Sequence, residues 1–126
     1  MEKKIISTPD APAAVGTYSQ AVMAGDILFA SGQLGLVPAT GAFAGESFAE
    51  QAEQVMKNVR GILASQGMDF SNVVKTSVFL ADMADFATLN QIYAQYFTEP
   101  YPARSAVAVK TLPKGGLVEM EVIAVK

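Results

Sequence analysis

Tyr101-Pro102-Ala103-Arg104-Ser105-Ala106-Val107-Ala108-Val109 sets one guanidinium at the head of an otherwise uncharged, apolar run. Pro102 has a fixed φ and no N–H to give a ladder, so it marks the beginning of a strand rather than its interior. The stretch predicts a strand over Ala103 to Val109. Arg104 then stands near a strand end. Its planar fork matches a carboxylate or phosphate through two parallel hydrogen bonds, and its charge demands a partner. Two uses fit: pairing with a carboxylate of this chain to lock strand register, or holding a small carboxylate ligand.

The last strand, Leu117 to Val125, supplies the internal candidates. Glu119 and Glu121 alternate with Val118, Met120 and Val122, so both carboxylates leave the same face. If both paired with Arg104, one cation would face two anions, leaving a carboxylate to polarise a water.

Working back along the chain, Ile27-Leu28-Phe29-Ala30 is apolar at every position and follows the turn Ala24-Gly25-Asp26, which predicts a hairpin between Gly16 and Gln33. Pro38-Ala39-Thr40-Gly41 opens a polar loop to Gly45. Ser47-Phe48-Ala49-Glu50 has capping-box spacing. The helix it starts carries Phe48, Ala52, Val55, Val59 and Ile62 on one stripe, with Gln51, Gln54, Lys57, Arg60 and Ser65 on other faces, and ends near Gly67. Val73 to Leu80 is β-branched and aromatic enough for a strand. Asp82-Met83-Ala84-Asp85 leads into a second helix with Phe86, Leu89, Tyr93 and Tyr96 or Phe97 inward, stopping before Pro100.

Strands, helix, strand, helix, strands is the order of an α+β domain over residues 1–126, with both helices on one face of a mixed sheet. Strands apolar on both faces need a cover for the open side, and the expected cover is another copy of the chain in a closed homo-oligomer.

Composition narrows the chemistry. The 126 residues are 51% hydrophobic and 17% charged, and nine Lys and Arg against twelve Asp and Glu leave a net charge of −3. No basic cluster is present to neutralise a run of phosphates, so nucleic acid is not an expected partner. With neither cysteine nor histidine, the chain has no thiolate nucleophile, no Ser-His-Asp arrangement and no zinc-binding Cys/His set. Neither a cofactor nor a metal is expected, and catalysis falls to Arg, Lys, Tyr, Ser, Asn, carboxylates, backbone groups or water. No apolar run reaches membrane-spanning length and the N-terminus lacks a secretion signal, so a cytoplasmic location is expected. Tyr18 near Gly16, and Ser31 beside Gly32, fall where strands end and backbone opens to a ligand. Asn90 lies one position off the stripe of the second helix, placed to reach the sheet edge or to stay a surface amide.

Gly16-Thr17-Tyr18-Ser19-Gln20-Ala21, Ser31-Gly32-Gln33, Val74-Lys75-Thr76-Ser77-Val78-Phe79-Leu80, Tyr101-Pro102-Ala103-Arg104-Ser105 and Val118-Glu119-Met120-Glu121-Val122-Ile123-Ala124-Val125 together resemble the RidA (YjgF) reactive-intermediate deaminase family, in the right order over nearly the whole chain. The resemblance implies a chorismate-mutase-like fold, a ferredoxin-like variant, assembled as a homotrimer around a central β-barrel with clefts between subunits. It implies cofactor-independent hydrolysis of 2-imino acids, 2-iminopropanoate and 2-iminobutanoate formed from 2-aminoacrylate-type enamines, to 2-oxo acids and ammonia. On that pattern Arg104 clamps the substrate carboxylate and Glu119 orients or deprotonates the water. Tyr18, Asn90 and the backbone near Gly32 and Ala106 shape the pocket, with Tyr18 facing Arg104 across an interface. Thr17 replaces a frequent Pro of the family, and Ala106 a frequent Cys. Two further uses of the same framework are a non-catalytic protein that binds or senses small carboxylates, and RNA cleavage as in some relatives.

Overall fold

The computed structural model describes residues 2–126. Its strands are β1 (Lys3–Ile6), β2 (Ala21–Ala24), β3 (Ile27–Ala30), β4 (Gln33–Leu34), β5 (Val73–Leu80), β6 (Ala103–Ala108) and β7 (Val118–Val125), and its helices are α1 (Phe48–Ala64) and α2 (Phe86–Tyr96). The sheet order is β1-β2-β3-β7-β5-β6, with the short β4 also on β7. β5 and β6 run parallel and are joined through α2, as a parallel pair requires, while the other ladders are antiparallel.

The local signals act as the residues dictate. The β2–β3 hairpin turns at Gly25 and Asp26, with Gly25 at φ 60, a left-handed conformation that costs glycine nothing. Ser47 accepts from the Glu50 amide and Glu50 accepts from the Ser47 amide, closing the capping box of α1. Asp82 accepts from the Ala84 amide and caps the 3-10 turn Met83–Asp85 that feeds α2. The stripe of α1 is buried as its spacing predicts, and Met56 and Leu63 widen it.

Gln51 is the exception on α1. Spacing assigns it to a solvent face, yet it is buried, donating to the Gly45 carbonyl and accepting from the Leu117 amide. Asn58, fully buried, donates to the carbonyls of Leu34 and Leu36. Loop backbone crosses the helix at these points, and its polar groups need partners once water is excluded. Periodicity reports apolar faces and is blind to where a distant loop runs. β1 also lies outside the sequence reading: its two lysines look like a solvated tail, but charged residues are what an exposed edge strand carries.

Alternation decides what each face of the sheet presents. Leu28, Ala30, Val78, Leu80, Val118, Met120, Val122 and Ala124 are buried in one cluster with the inward faces of both helices, and Thr76 is buried on the same side. The opposite face carries a row in register, Ile5, Val22, Phe29 and Ile123, with Phe79 and Val107 farther along. Among the described residues this face is left partly open: Phe29 is 45% exposed and Val107 49%, while Val22, Phe79 and Ile123 are half-buried.

The strands expected over Ala103 to Val109 and Leu117 to Val125 are present as β6 and β7, but β5 separates them. Arg104 pairs in register with Thr76 and so leaves the sheet on the helix side. Glu119 pairs with Phe79 and Glu121 with Ser77, on the open side. The internal pairing of Arg104 with either glutamate is therefore overturned, because opposite pleat directions put them on opposite faces of one sheet.

Gly61, inside α1, tests how tightly the N-terminal segment is seated. Alanine is favoured over glycine in a helix by about 1 kcal/mol, but a Cβ here would collide with the Asp10 backbone carbonyl. Gly61→Ala is expected to destabilise the fold by about 1–3 kcal/mol, as overpacking against backbone does. A denaturant midpoint at or above that of the unmodified chain would show that the segment yields.

Candidate active site

Gln20 organises the first half of the site. Its buried amide donates to the carbonyls of Thr8, Ala11 and Pro12 and accepts from the Thr8 amide at 2.7 Å, tying residues 8–12 alongside the end of β3. The Gln20 carbonyl receives the Ser31 amide at 2.9 Å, and the Ser31 hydroxyl donates to the Ser19 carbonyl at 2.6 Å. Ser31 is thus spent on holding the two chain segments together. Tyr18, 55% exposed, hangs over the cleft between them.

That cleft, of about 700 Å³, is lined by Tyr18, Ser31, Gly32, Glu119 and Glu121 along with apolar residues such as Val15 and Leu36. Gly32 is needed there for want of space: a Cβ would stand 2.6 Å from Glu119 Oε2. The glutamate can lie along the backbone only because position 32 has no side chain. Burial raises the Glu119 pKa above its ordinary 4.5, and the neighbouring Glu121 charge adds to the rise. A carboxylate so placed takes a proton more readily than one in water, which suits a general base or acid. A larger opening of about 1050 Å³ shares Tyr18 but includes neither Glu119 nor Arg104.

The second half lies across the sheet at the edge of β6. Arg104 Nη1 donates to Asn90 Oδ1 at 2.8 Å, and its guanidinium carbon stands 5.5 Å from the centre of the Phe86 ring and 4.9 Å from that of Tyr93. All three neighbours are uncharged. Arg104 is exposed and its charge is available to an anion, while Ala106, two residues on, packs in register with Val78. Asn90 reaches the sheet edge, where it faces Arg104.

The expected site residues therefore form two groups: Tyr18, Ser31, Gly32 and Glu119 in the cleft, and Arg104, Asn90 and Ala106 at the β6 edge. Sequence reasoning gave Gln20 no role of its own, although it lies in the block Gly16-Thr17-Tyr18-Ser19-Gln20-Ala21 and is a polar residue in a β-rich stretch. It read Phe86 and Tyr93 as core alone, although Phe86, Asn90 and Tyr93 at i, i+4 and i+7 share one helix face.

The family model described as Endoribonuclease L-PSP matches residues 8–126. Reactive Intermediate Deaminase A, chloroplastic, of Arabidopsis thaliana is 52% identical over 98% of this chain, which spans 66% of that protein. The 2-iminobutanoate/2-iminopropanoate deaminase of Bos taurus is also 52% identical, over 98% of this chain and 90% of that protein. The crystal structure of RidA from an Antarctic Psychrobacter superposes with a TM-score of 0.94 at 50% identity, covering 98% of this chain and 99% of the other. The chain belongs to the RidA family. The family match spans the residues of both groups. Escherichia coli TdcF, solved with bound serine, superposes on the RidA-type fold with a TM-score of 0.92 at 41% identity over 98% of each chain. Among the described residues no helix is long and apolar enough to cross a membrane.

The two causes of the Glu119 shift separate by substitution. In Glu121→Gln, an NMR titration of the Glu119 carboxyl is expected to show a lower pKa that still exceeds 4.5, since burial is the larger cause. A return to the ordinary value would make the neighbouring charge the main one.

Proposed function

We propose that the protein hydrolyses 2-imino acids to 2-oxo acids and ammonia, the reaction named for its 2-iminobutanoate/2-iminopropanoate deaminase relatives. The observation that carries the reading is that, among the described residues, the Arg104 guanidinium meets an amide and two rings and no carboxylate, so its charge is left for a ligand carboxylate. Serine in the TdcF structure is itself a small α-carboxylate.

Arg104 and Glu119 emerge from opposite faces of one sheet, so a substrate touching both needs two copies of the chain. The apolar row over Ile5, Val22, Phe29 and Ile123, exposed at Ile5 and Phe29, offers the surface that would bring copies together. The proposed assembly is a homotrimer with the open faces lining a central barrel. Arg104, oriented by Asn90, and the backbone at Ala106 come from one subunit; Tyr18, Ser31, Gly32 and Glu119 come from the next.

The chemistry asks little of the protein. The iminium carbon is already electrophilic, and positioning supplies most of what hydrolysis lacks. Glu119 takes a proton from water as its oxygen bonds to the imine carbon, giving a neutral amino alcohol that retains the carboxylate held by Arg104. Protonation of nitrogen, by Glu119 returning its proton or by solvent, lets the C–N bond break. The hydroxyl proton then leaves, so the imino acid and one water become a 2-oxo acid and ammonium.

Arg104→Ala is expected to raise KM, each lost charge-assisted bond being worth about 1.5–3 kcal/mol. Glu119→Gln is expected to lower kcat with substrate binding largely kept. Because Glu119 must be ionised to act and its pKa is raised, activity is expected to fall with pH through a point above 4.5; Glu119→Gln loses that limb. Mixing the two variants after unfolding, then refolding them together, tests the shared site. An intact pair forms when an Arg104-bearing copy meets a Glu119-bearing one, half times half, so about a quarter of normal activity returns in a ring of random composition. No recovery on mixing would place both residues in one subunit's site and sink the two-copy arrangement.

A further inference from the structure

Arg104 is an exposed residue on an edge strand, where a long side chain would ordinarily sample many rotamers. Its surroundings restrict it. Phe86, Asn90 and Tyr93 meet it from one face of α2, with the ring centres 5.5 Å (Phe86) and 4.9 Å (Tyr93) from the guanidinium carbon and Asn90 taking one of its donors.

Tyr93 is held in turn. Its hydroxyl lies 2.9 Å from Oγ1 of Thr76, which is fully buried on β5 at the register position beside Arg104. Its ring stacks on Phe97 with centroids 4.3 Å apart and planes at 23°. Burial raises the Tyr93 pKa against the opposing effects of Thr76 and Arg104, so the phenol keeps its proton at neutral pH and the bond persists. A phenylalanine would fill the same space without burying a hydroxyl, and a valine would replace Thr76 without needing a partner. Two polar groups bonded to each other inside an apolar layer fix one position of the ring, which apolar contact alone does not.

We infer that Thr76 and Tyr93 form a positioning pair, which sets the height and plane of the Arg104 guanidinium so that its outward donors are aligned for a carboxylate. Neither residue touches the ligand; both act through Arg104. The inference rests on the carboxylate clamp proposed above and adds the device that aims it.

The test compares Tyr93→Phe, Thr76→Val, their double variant and Arg104→Ala in the assembled protein. Turnover is followed with 2-iminobutanoate generated in place, and binding with 2-oxobutanoate and its uncharged amide by calorimetry. Each single variant is expected to raise KM and the Kd for 2-oxobutanoate about threefold to tenfold, the scale of one hydrogen bond, with kcat within about twofold. Amide binding is expected to stay unchanged, because a neutral ligand gains nothing from an aimed guanidinium. The double variant is expected to be no worse than the poorer single one, since both remove the same bond. Thr76→Ser, which keeps the hydroxyl, is expected to bring KM back toward normal relative to Thr76→Val. Normal KM and Kd in both single variants, with both raised in Arg104→Ala, overturns the positioning pair and leaves the clamp standing. Values unmoved even in Arg104→Ala overturn the clamp and the pair with it. Equal losses for the acid and the amide, accompanied by a lower Tm, mark a purely structural role and also overturn the inference.

Discussion

The two-residue repeat of a pleated strand governs this protein more than any single contact. Arg104 shares a pleat direction with Thr76 and Val122, Glu119 with Phe79, and the two directions are opposite. The Arg104 cation and the raised-pKa Glu119 carboxylate are thereby prevented from neutralising each other. Each keeps its capacity for a ligand: the guanidinium its charge, the carboxylate its affinity for a proton. Slipping β7 by one residue would reverse its facing set and send Val118 and Met120 into the open, so the core that defines the register also keeps the two groups apart.

The two halves are built by different means. In the cleft, backbone does most of the work: the Gln20 amide gathers carbonyls from residues 8–12, Ser31 bridges to Ser19, and the missing side chain at Gly32 admits Glu119. At the β6 edge the same task falls to side chains, with rings and one amide around a guanidinium. The difference follows from charge. A carboxylate half-removed from water has its pKa raised by that removal, which is useful to a base, whereas a guanidinium stays charged at any working pH and needs only aim.

Family likeness and physical argument meet at the open face of the sheet. An apolar row across four strands marks a surface for a partner, and the shared site proposed above calls for a second copy at that surface. The absence of histidine and cysteine, which rules out so many catalytic arrangements, is compatible with a reaction whose electrophile arrives already activated.

Residue order alone was enough for the two helices and the capping box of α1, the β2–β3 hairpin, the strands containing Arg104 and Glu119, and the blocks that announce the RidA family. These are legible because capping, turn chemistry and period-two or period-3.6 alternation act between near neighbours. Folding in three dimensions decided the rest: that β5 separates β6 from β7, that Arg104 and Glu119 look away from each other, that Gln51 and Asn58 serve distant loop carbonyls, and that Tyr93 leans on Thr76. Each of those depends on which remote segment lies alongside, and a pleat direction becomes a meeting or a separation only once the neighbouring strand is known.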